Sequence, residues 1–429
     1  MTRTRQATSR RPESAARPHT AAVAGRAAVV NRRAADRLRT GHPWVYASDV
    51  VEVTGEERDA PAGLIPVADQ RGIPLGTALY SPQSQIVLRL VSHELLTTDG
   101  EWLALIETRL RRALALRATM QTEACRLVFS EADELPGLII DRYGTLVLIQ
   151  ILVRGLDRPE VRELLTRVLV EEIAPQTVIE RGDARIAALE GLQTPALATL
   201  YAKDPAYPIL QTTFHLNGLR FAYDATSGQK TGAFLDQRLN YAAAAEHARG
   251  EALDVCTYQG GFALHMAAKM AGSRCSRVTG VDSSRSALEV AERNLAANRN
   301  KISAEVDWIE ADAFDLLRDW SDAGTQYDTI VLDPPAFAKS KRAVEGALRG
   351  YKELNLRAFK MLRPGGVLVT CSCSQHISGA DFTATIAAAA ADAGRRVRLL
   401  ERRGAAPDHP VILTIPETEY LKCLICVVE

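Results

Sequence analysis

No uncharged apolar run in these 429 residues approaches the ~18 that a membrane-crossing helix needs, so the chain reads as soluble. Neither sign of charge is in excess: Lys+Arg and Asp+Glu each number 52, and no overall positive field advertises a nucleic-acid partner. Any contact with RNA or DNA must therefore come from local patches. Lysine is missing before Lys203, which leaves arginine to carry the positive charge of the N-terminal stretches. Cysteines are few and odd in number, seven in all, and no apolar signal segment precedes them. That pattern implies free thiols in a reducing, cytoplasmic compartment. What is present, 47% hydrophobic and 24% charged residues, is globular composition able to bury real cores.

Composition shifts divide the chain. Residues 1–28 hold six Arg, one Glu and almost no large apolar side chain, as in a disordered basic tail suited to touch phosphates. A transit peptide has a similar look. Over 29–95, short apolar runs ("HPWVYASDV", "GLIPVADQRGIPLGTALYS", "QIVLRLVS") alternate with Gly and Pro, predicting a small β domain preceded by the basic segment "NRRAADRLRTGHPW". Over 96–205, "EWLALIETRLRRALALRATM" has helical periodicity. "ACRLVFSEADELPGLIIDRYGTLVLIQILV" suggests two strands around a Pro-Gly turn, "PEVRELLTRVLVEEI" a second helix and "TVIERGD" a strand, hence an α+β unit. Over 206–429 the segments "EALDVC", "SRVTGVD", "VDWIEAD", "YDTIVLD" and "GGVLVTCSC" alternate with helical stretches, which predicts a parallel, doubly wound sheet. The last two strands, "RVRLLERR" and "EYLKCLICVVE", have no helix between them and are expected to pair antiparallel at one edge.

In such sheets ligands sit outside the carboxyl ends of the strands. Here those ends carry "DVCTYQGGF", Asp282, Asp312, "DPPAF" and "SCSQ" in succession. Gly260 and Gly261 allow close backbone approach by a ligand, or simply make a tight strand-to-helix turn. Asp282 stands where an acid accepts bonds from ribose hydroxyls, although the glycine pattern is not that of a nicotinamide enzyme. Asp312 can meet an adenine amine or cap a helix. In "DPPAF" two prolines stiffen the loop that holds Asp333, and Phe337 offers a face on which a base can stack.

These strand-end residues, together with "NRRAADRLRTGHPWVY", "RLVFSEADELPGLIIDRYG", "KTGAFLDQR", "YQGGF", "LDPPAFAKSK", "GYKELN", "SCS", "DHPV" and "YLK", make the chain resemble class I S-adenosylmethionine-dependent methyltransferases. Within these it is similar to the bacterial 23S rRNA 5-methylcytosine methyltransferases of the large-subunit I type. The resemblance covers nearly everything after the tail. It implies a Rossmann-like α/β methyltransferase domain behind a PUA-like RNA-binding domain and a central α+β domain. It further implies that Asp254, Gly260, Gly261 and neighbouring backbone hold the methionine part of S-adenosylmethionine, Asp282 the ribose and Asp312 the adenine, with Gln237 beneath. Cys373 matches the position of the family's nucleophile. Attack by its thiolate on cytosine C6 makes C5 enamine-like, and Asp333 hydrogen-bonds the N3/N4 edge. The second cysteine that many such enzymes carry after the last Pro of the aspartate loop is Ala336 here. Expected partners are 23S rRNA or a large-subunit precursor, with a homodimer as one option and no membrane.

Other readings stay open at this level. Lys339, Lys341 and Arg342 form a patch suited to RNA phosphates or a solvated loop. His376 can assist proton removal or lie in solvent, and His409 can shape a base pocket. Cys371, two residues before Cys373, is expected to be a small core residue one layer below the cleft. A four-thiolate site from Cys371, Cys373, Cys423 and Cys426 is disfavoured, because three-residue spacing sends the last two to opposite faces of a strand; no metal is expected. An amine methyltransferase using "DPPAF" without a thiol, and a non-catalytic RNA-binding assembly factor, are the alternative functions.

Overall fold

The computed structural model describes residues 26–55, 63–192, 195–226, 233–269, 274–338 and 340–429. Residues 1–25, most of the expected basic tail, and Lys339 lie outside that set. The first sheet starts inside the expected tail, with Ala27 and Ala28 buried in the strand Ala27–Val30. Alanines lack the bulk that marks a strand in sequence. Its six strands run in the order Trp44–Tyr46, Ile86–Ser92, Pro74–Tyr80, Leu64–Asp69, Ala27–Val30, Val50–Thr54. The basic segment after the first strand is a helix, Arg32–Arg39, whose first turn is capped by Asn31 accepting from Ala34 N at 2.9 Å. Only Ala34, Ala35 and Leu38 face inward, too little apolar bulk to show as periodicity.

In the central unit the helix Asp99–Ala118 opens with a capping box between Thr98 and Glu101 and buries Trp102, Ile106, Leu110, Ala113 and Leu114, one stripe at three- and four-residue spacing. The stretch expected to form two strands forms three, Ala124–Phe129, Leu138–Tyr143 and Leu146–Ile151. Gly144, at φ 58°, closes a second tight turn inside what reads as one long apolar run. With Thr177–Glu180 and Ala198–Ala202 these make a five-stranded sheet. A hairpin, Gln211–Leu216 with Leu219–Asp224, turns on Asn217-Gly218, both at positive φ, and bridges to the next sheet. Its Tyr223 stacks on Tyr143 with ring centroids 4.0 Å apart.

The third sheet has seven strands: β1 (Arg249–Val255), β2 (Arg274–Asp282), β3 (Glu305–Glu310), β4 (Tyr327–Leu332), β5 (Leu362–Ser372), β6 (Val397–Arg403) and β7 (Lys422–Val428). Their order is β3-β2-β1-β4-β5-β7-β6. The first five are parallel and are linked by helices α1 (Gly261–Ala267), α2 (Arg285–Ala297), α3 (Ala313–Asp322) and α4 (Val344–Met361); α5 (Gly379–Asp392) follows β5. The expected antiparallel pairing of the last two strands is present, but β7 enters between β5 and β6. The connection over 404–421 therefore crosses the carboxyl ends of the strands. The strand order reverses between β1 and β4, which opens a crevice there.

This crossing segment is fastened to both other units. The Asp408 carboxylate, fully buried, accepts from Arg126 N at 2.9 Å and from the Arg238 guanidinium at 3.1 Å, and the Asp408 carbonyl accepts from Arg117 at 2.9 Å. Arg117 is held in turn by Asp133 at 2.6 and 2.8 Å. From the first unit, His42 meets Glu417 at 3.1 Å and Gly41 O accepts from Thr414. Burial alone would push the Asp408 carboxyl up; His409, the Arg126 amide and Arg238 outweigh it and hold it at about 2. Asp408→Ala should thus cost roughly 3–5 kcal/mol by stranding buried Arg238, read as a lower urea midpoint. A midpoint matching the parent would remove this hub from the stability account.

Candidate active site

Backbone geometry at the end of β1 is unusual. Cys256 and Tyr258 adopt φ of 63° and 52°, left-handed values that non-glycine residues rarely take, before Gly260 at 84°. The turn wraps the Asp254 side chain, which accepts from Thr257 Oγ1 at 2.6 Å and Ala263 N at 2.9 Å through Oδ2. Its Oδ1 is buried with no hydrogen-bond partner among the described residues. Burial chiefly, and the Asp282 charge next, lift this carboxyl to about 7 against those two bonds. A buried carboxylate oxygen without a donor fits a cationic or N–H-bearing ligand, as the amino group of S-adenosylmethionine is.

The glycines are required for a different reason from ligand approach. A Cβ on Gly261 would come within 2.5 Å of the Tyr241 ring, and one on Gly260 within 2.9 Å of Trp308. Packing and the turn occupy the space that the missing side chains leave. Asp282, half-buried at the end of β2, accepts from Tyr258 N and Ser284 N, each at 2.9 Å. It thereby pins the β1 loop against β2. Asp312 is exposed and caps α3, with Phe314 N and Asp315 N both reaching Oδ1. The capping role weighed from the sequence is present, and it engages one oxygen.

Asp333 leaves β4 half-buried at the mouth of the crevice, its N–H donating to Val255 O at 3.3 Å. Its carboxylate accepts from Gln237 Nε2 at 3.0 Å; the Gln237 carbonyl accepts from Asn240 at 2.7 Å, and Asn240 accepts from Arg403 Nε at 3.0 Å. Gln237, expected beneath a cofactor, is thus also a brace for Asp333. Asn240 and Arg403 were not singled out from the sequence, where nothing marks them apart from ordinary polar residues. Burial, then the charges of Asp236 and Asp254, raise the Asp333 carboxyl to about 8, opposed by Gln237. Phe337 is half-buried, with ring centroids 4.8 Å from Tyr351 and 5.8 Å from Phe314. Lys341 and Arg342 are exposed at the turn preceding α4.

Cys373 follows β5 at once. Its thiol, half-buried, points toward Pro334 O at 4.0 Å. Ser374, fully buried, joins the two loops: its Oγ accepts from Ala338 N at 3.2 Å and meets the Tyr351 hydroxyl at 3.0 Å. Cys371 is fully buried opposite Cys423 in the strand register, in the core on one face, whereas Cys426 packs in the core on the other. Among the described residues no group of three or more His, Cys, Asp or Glu could hold a metal ion. His376 is exposed; His409 is buried against Phe129, ring centroids 5.2 Å apart.

One residue that the sequence showed only within "YLK", without a role of its own, stands at this corner. Lys422, heading β7 opposite Ser372, is buried, and its Nζ donates to Ser374 O at 2.7 Å and Tyr420 O at 2.8 Å. A single lysine opening an otherwise apolar strand was the available signal. Tyr420 beside it donates to Asp236 at 2.6 Å and lies near Phe129.

Comparison with known proteins bears on the domains and the family. A PUA-like domain model matches residues 28–93 and an S-adenosylmethionine-dependent methyltransferase model residues 147–415. The chain is 37% identical over 394 residues to the ribosomal RNA large subunit methyltransferase I of Shewanella frigidimarina, covering 90% of this chain and 96% of that protein. To the protein of the same name from Pseudoalteromonas translucida it is 36% identical, covering 91% and 96%. In fold it is similar to a SAM-dependent methyltransferase from Streptococcus mutans, with TM-score 0.75, 19% identity and coverage of 93% of this chain and 99% of that one. A methyltransferase solved in complex with SAH gives TM-score 0.76 at 20% identity, with the same coverage.

Proposed function

Because this chain belongs to the ribosomal RNA large subunit methyltransferase I family of S-adenosylmethionine-dependent enzymes, we propose that it methylates C5 of a cytosine in large-subunit (23S) rRNA through a covalent Cys373–C6 adduct. The observation that carries this reading is the union of two strand ends: the Asp333 loop after β4 and the Cys373 loop after β5 are stitched by Ser374 at one end of the crevice. A thiol and a carboxyl on one rim suit a base held out of its stack. An amine methyltransferase needs no thiol there.

The roles are those the resemblance implies, and the geometry leaves room for them. Asp254, with its unpartnered oxygen, would hold the amino group of the cofactor; Asp282 would accept from the ribose and Asp312 from the adenine, with the backbone of Gly260 and Gly261 alongside. S-adenosylmethionine, when bound, supplies an electrophilic methyl group. Cys373 adds to C6 and turns C5 into an enamine-like carbon; after C5 has gained its methyl and lost its proton, the sulfur leaves. Asp333, kept protonated near neutral pH by burial and its two carboxylate neighbours, donates to N3 as C6 is attacked, and Gln237 fixes its orientation. Phe337, packed at a tilt against Tyr351, would flank the base. Lys341 would meet RNA phosphate, and the PUA-like unit would grip RNA away from the reacting base. Lys339, expected in the same patch, lies outside the described residues.

Incubation of unmodified 23S rRNA with the protein and S-adenosylmethionine should yield 5-methylcytidine on nucleoside mass spectrometry. An N-methylated purine would transfer the site to the amine reading, and failure to bind S-adenosylmethionine by calorimetry would favour an assembly factor.

A further inference from the structure

Lys422 is 8% exposed, yet no carboxylate lies within ion-pair distance of its ammonium among the described residues. Charges are rarely buried without a counter-charge, and two neutral carbonyls do not supply one. The groups around it can be enumerated. The loop after β5 contributes Cys373 and Ser374, the segment entering β7 contributes Glu419 and Tyr420, and α4 contributes Tyr351 through Ser374. From α5, Gly379 leaves room beside the lysine stem, a Cβ there falling 4.0 Å from it. The Tyr420 hydroxyl is committed to Asp236. Burial pulls the ammonium down to about 8; attraction by Cys373, and less by Glu419, opposes it. The ammonium is thus anchored on the carbonyl of the residue that directly follows Cys373, on the loop that carries the thiol.

We propose that Lys422 is a positioning residue for Cys373: its ammonium, fixed by the Ser374 and Tyr420 carbonyls, is the counter-charge that holds the sulfur as a thiolate. The inference rests on the reading of Cys373 as the nucleophile. The S–H proton leaves to a buffer base, its electron pair stays on sulfur, and ammonium and thiolate form a pair of zero net charge. Where the amine is itself neutral, it accepts that proton directly. Both routes deliver the form of sulfur that attacks C6.

The test follows alkylation of Cys373 by iodoacetamide in the full chain, by peptide mass spectrometry across pH. The wild-type midpoint is expected below the ~8.5 of a free thiol. Lys422→Gln, which keeps a donor but not the charge, should be alkylated about tenfold more slowly at pH 7, a shift of about one unit. Lys422→Arg should restore the wild-type profile, and in turnover the Gln variant should lose kcat while KM for RNA holds. A wild-type midpoint at or above ~8.5, or a Gln variant that is alkylated like wild type, overturns the proposal. Should Lys422→Gln fail to fold, the wild-type midpoint decides alone. A fully active Cys373→Ser protein would instead defeat the nucleophile reading, and the alkylation profile separates the two failures.

Discussion

Cys373→Ser is expected to lower single-turnover methylation by at least ~10³-fold, the scale on which loss of a covalent nucleophile is felt. The serine hydroxyl is isosteric enough to leave the corner intact, because the loop is fixed by its neighbours and not by the thiol. Ser374 bonds Ala338 N and Tyr351, and Lys422 bonds the Ser374 carbonyl. An alkoxide is far harder to form than a thiolate near neutral pH, so C6 would remain unattacked. Cofactor affinity, by calorimetry, should stay within twofold or so, because Cys373 lies at the rim and the groups read as cofactor ligands sit at the ends of β1, β2 and β3. Cys371→Ser makes the contrast. Its thiol is fully buried opposite Cys423, so that substitution should reduce stability more than rate. Substantial turnover by the Cys373→Ser protein would sink the covalent route.

Asp333→Asn is expected to reduce turnover by about 10²–10⁴-fold, the range associated with losing a positioned acid. A second readout comes from cofactor binding. In the free protein Asp333 and Asp254 are raised to about 8 and about 7 by burial and by facing other carboxylates. Both therefore carry protons over part of the range below those values. A cationic amino group set against Asp254 favours its ionised form, so binding expels that proton, and affinity should climb as pH rises to about 7 and then level off. Each proton expelled contributes at most about tenfold per pH unit. Asp333 keeps the proton it donates to N3, so Asp333→Asn should leave this climb in place. Proton release, measured by calorimetry in buffers of different ionisation enthalpy, should likewise match that of the parent protein. An affinity that falls with rising pH would contradict the carboxylate reading of this crevice.

Much of this was legible in the residues. Alternating strands and helices after about residue 206 gave the doubly wound sheet, and the polar residues at strand ends gave the crevice, because both depend on local periodicity and chain order. The faces of Cys423 and Cys426 likewise follow from strand alternation. What escaped the sequence depends on long-range placement. Nothing local says that β7 inserts between β5 and β6, and only that insertion brings Lys422 beside the Cys373 loop. The Arg32–Arg39 helix hides behind small alanines, and the second turn in the central unit rests on Gly144 within an apolar run. Gly260 and Gly261, legible as a turn, owe their lack of a side chain to Tyr241 and Trp308, which come from elsewhere in the chain.

The segment that crosses the strand ends has a kinetic consequence. Asp408 is bonded to groups 291 and 282 positions earlier, and Glu417 to one 375 positions earlier. Closing loops of that length costs entropy that contacts between consecutive strands avoid. From a denatured chain, the β1–β2–β3 side of the crevice can form from neighbouring sequence. The segment that leads into the thiol corner must wait for the most distant pieces of the chain to meet before it is fastened. Refolding should thus restore helical content and cofactor binding ahead of methyl transfer, with a cofactor-competent but chemically silent species in between.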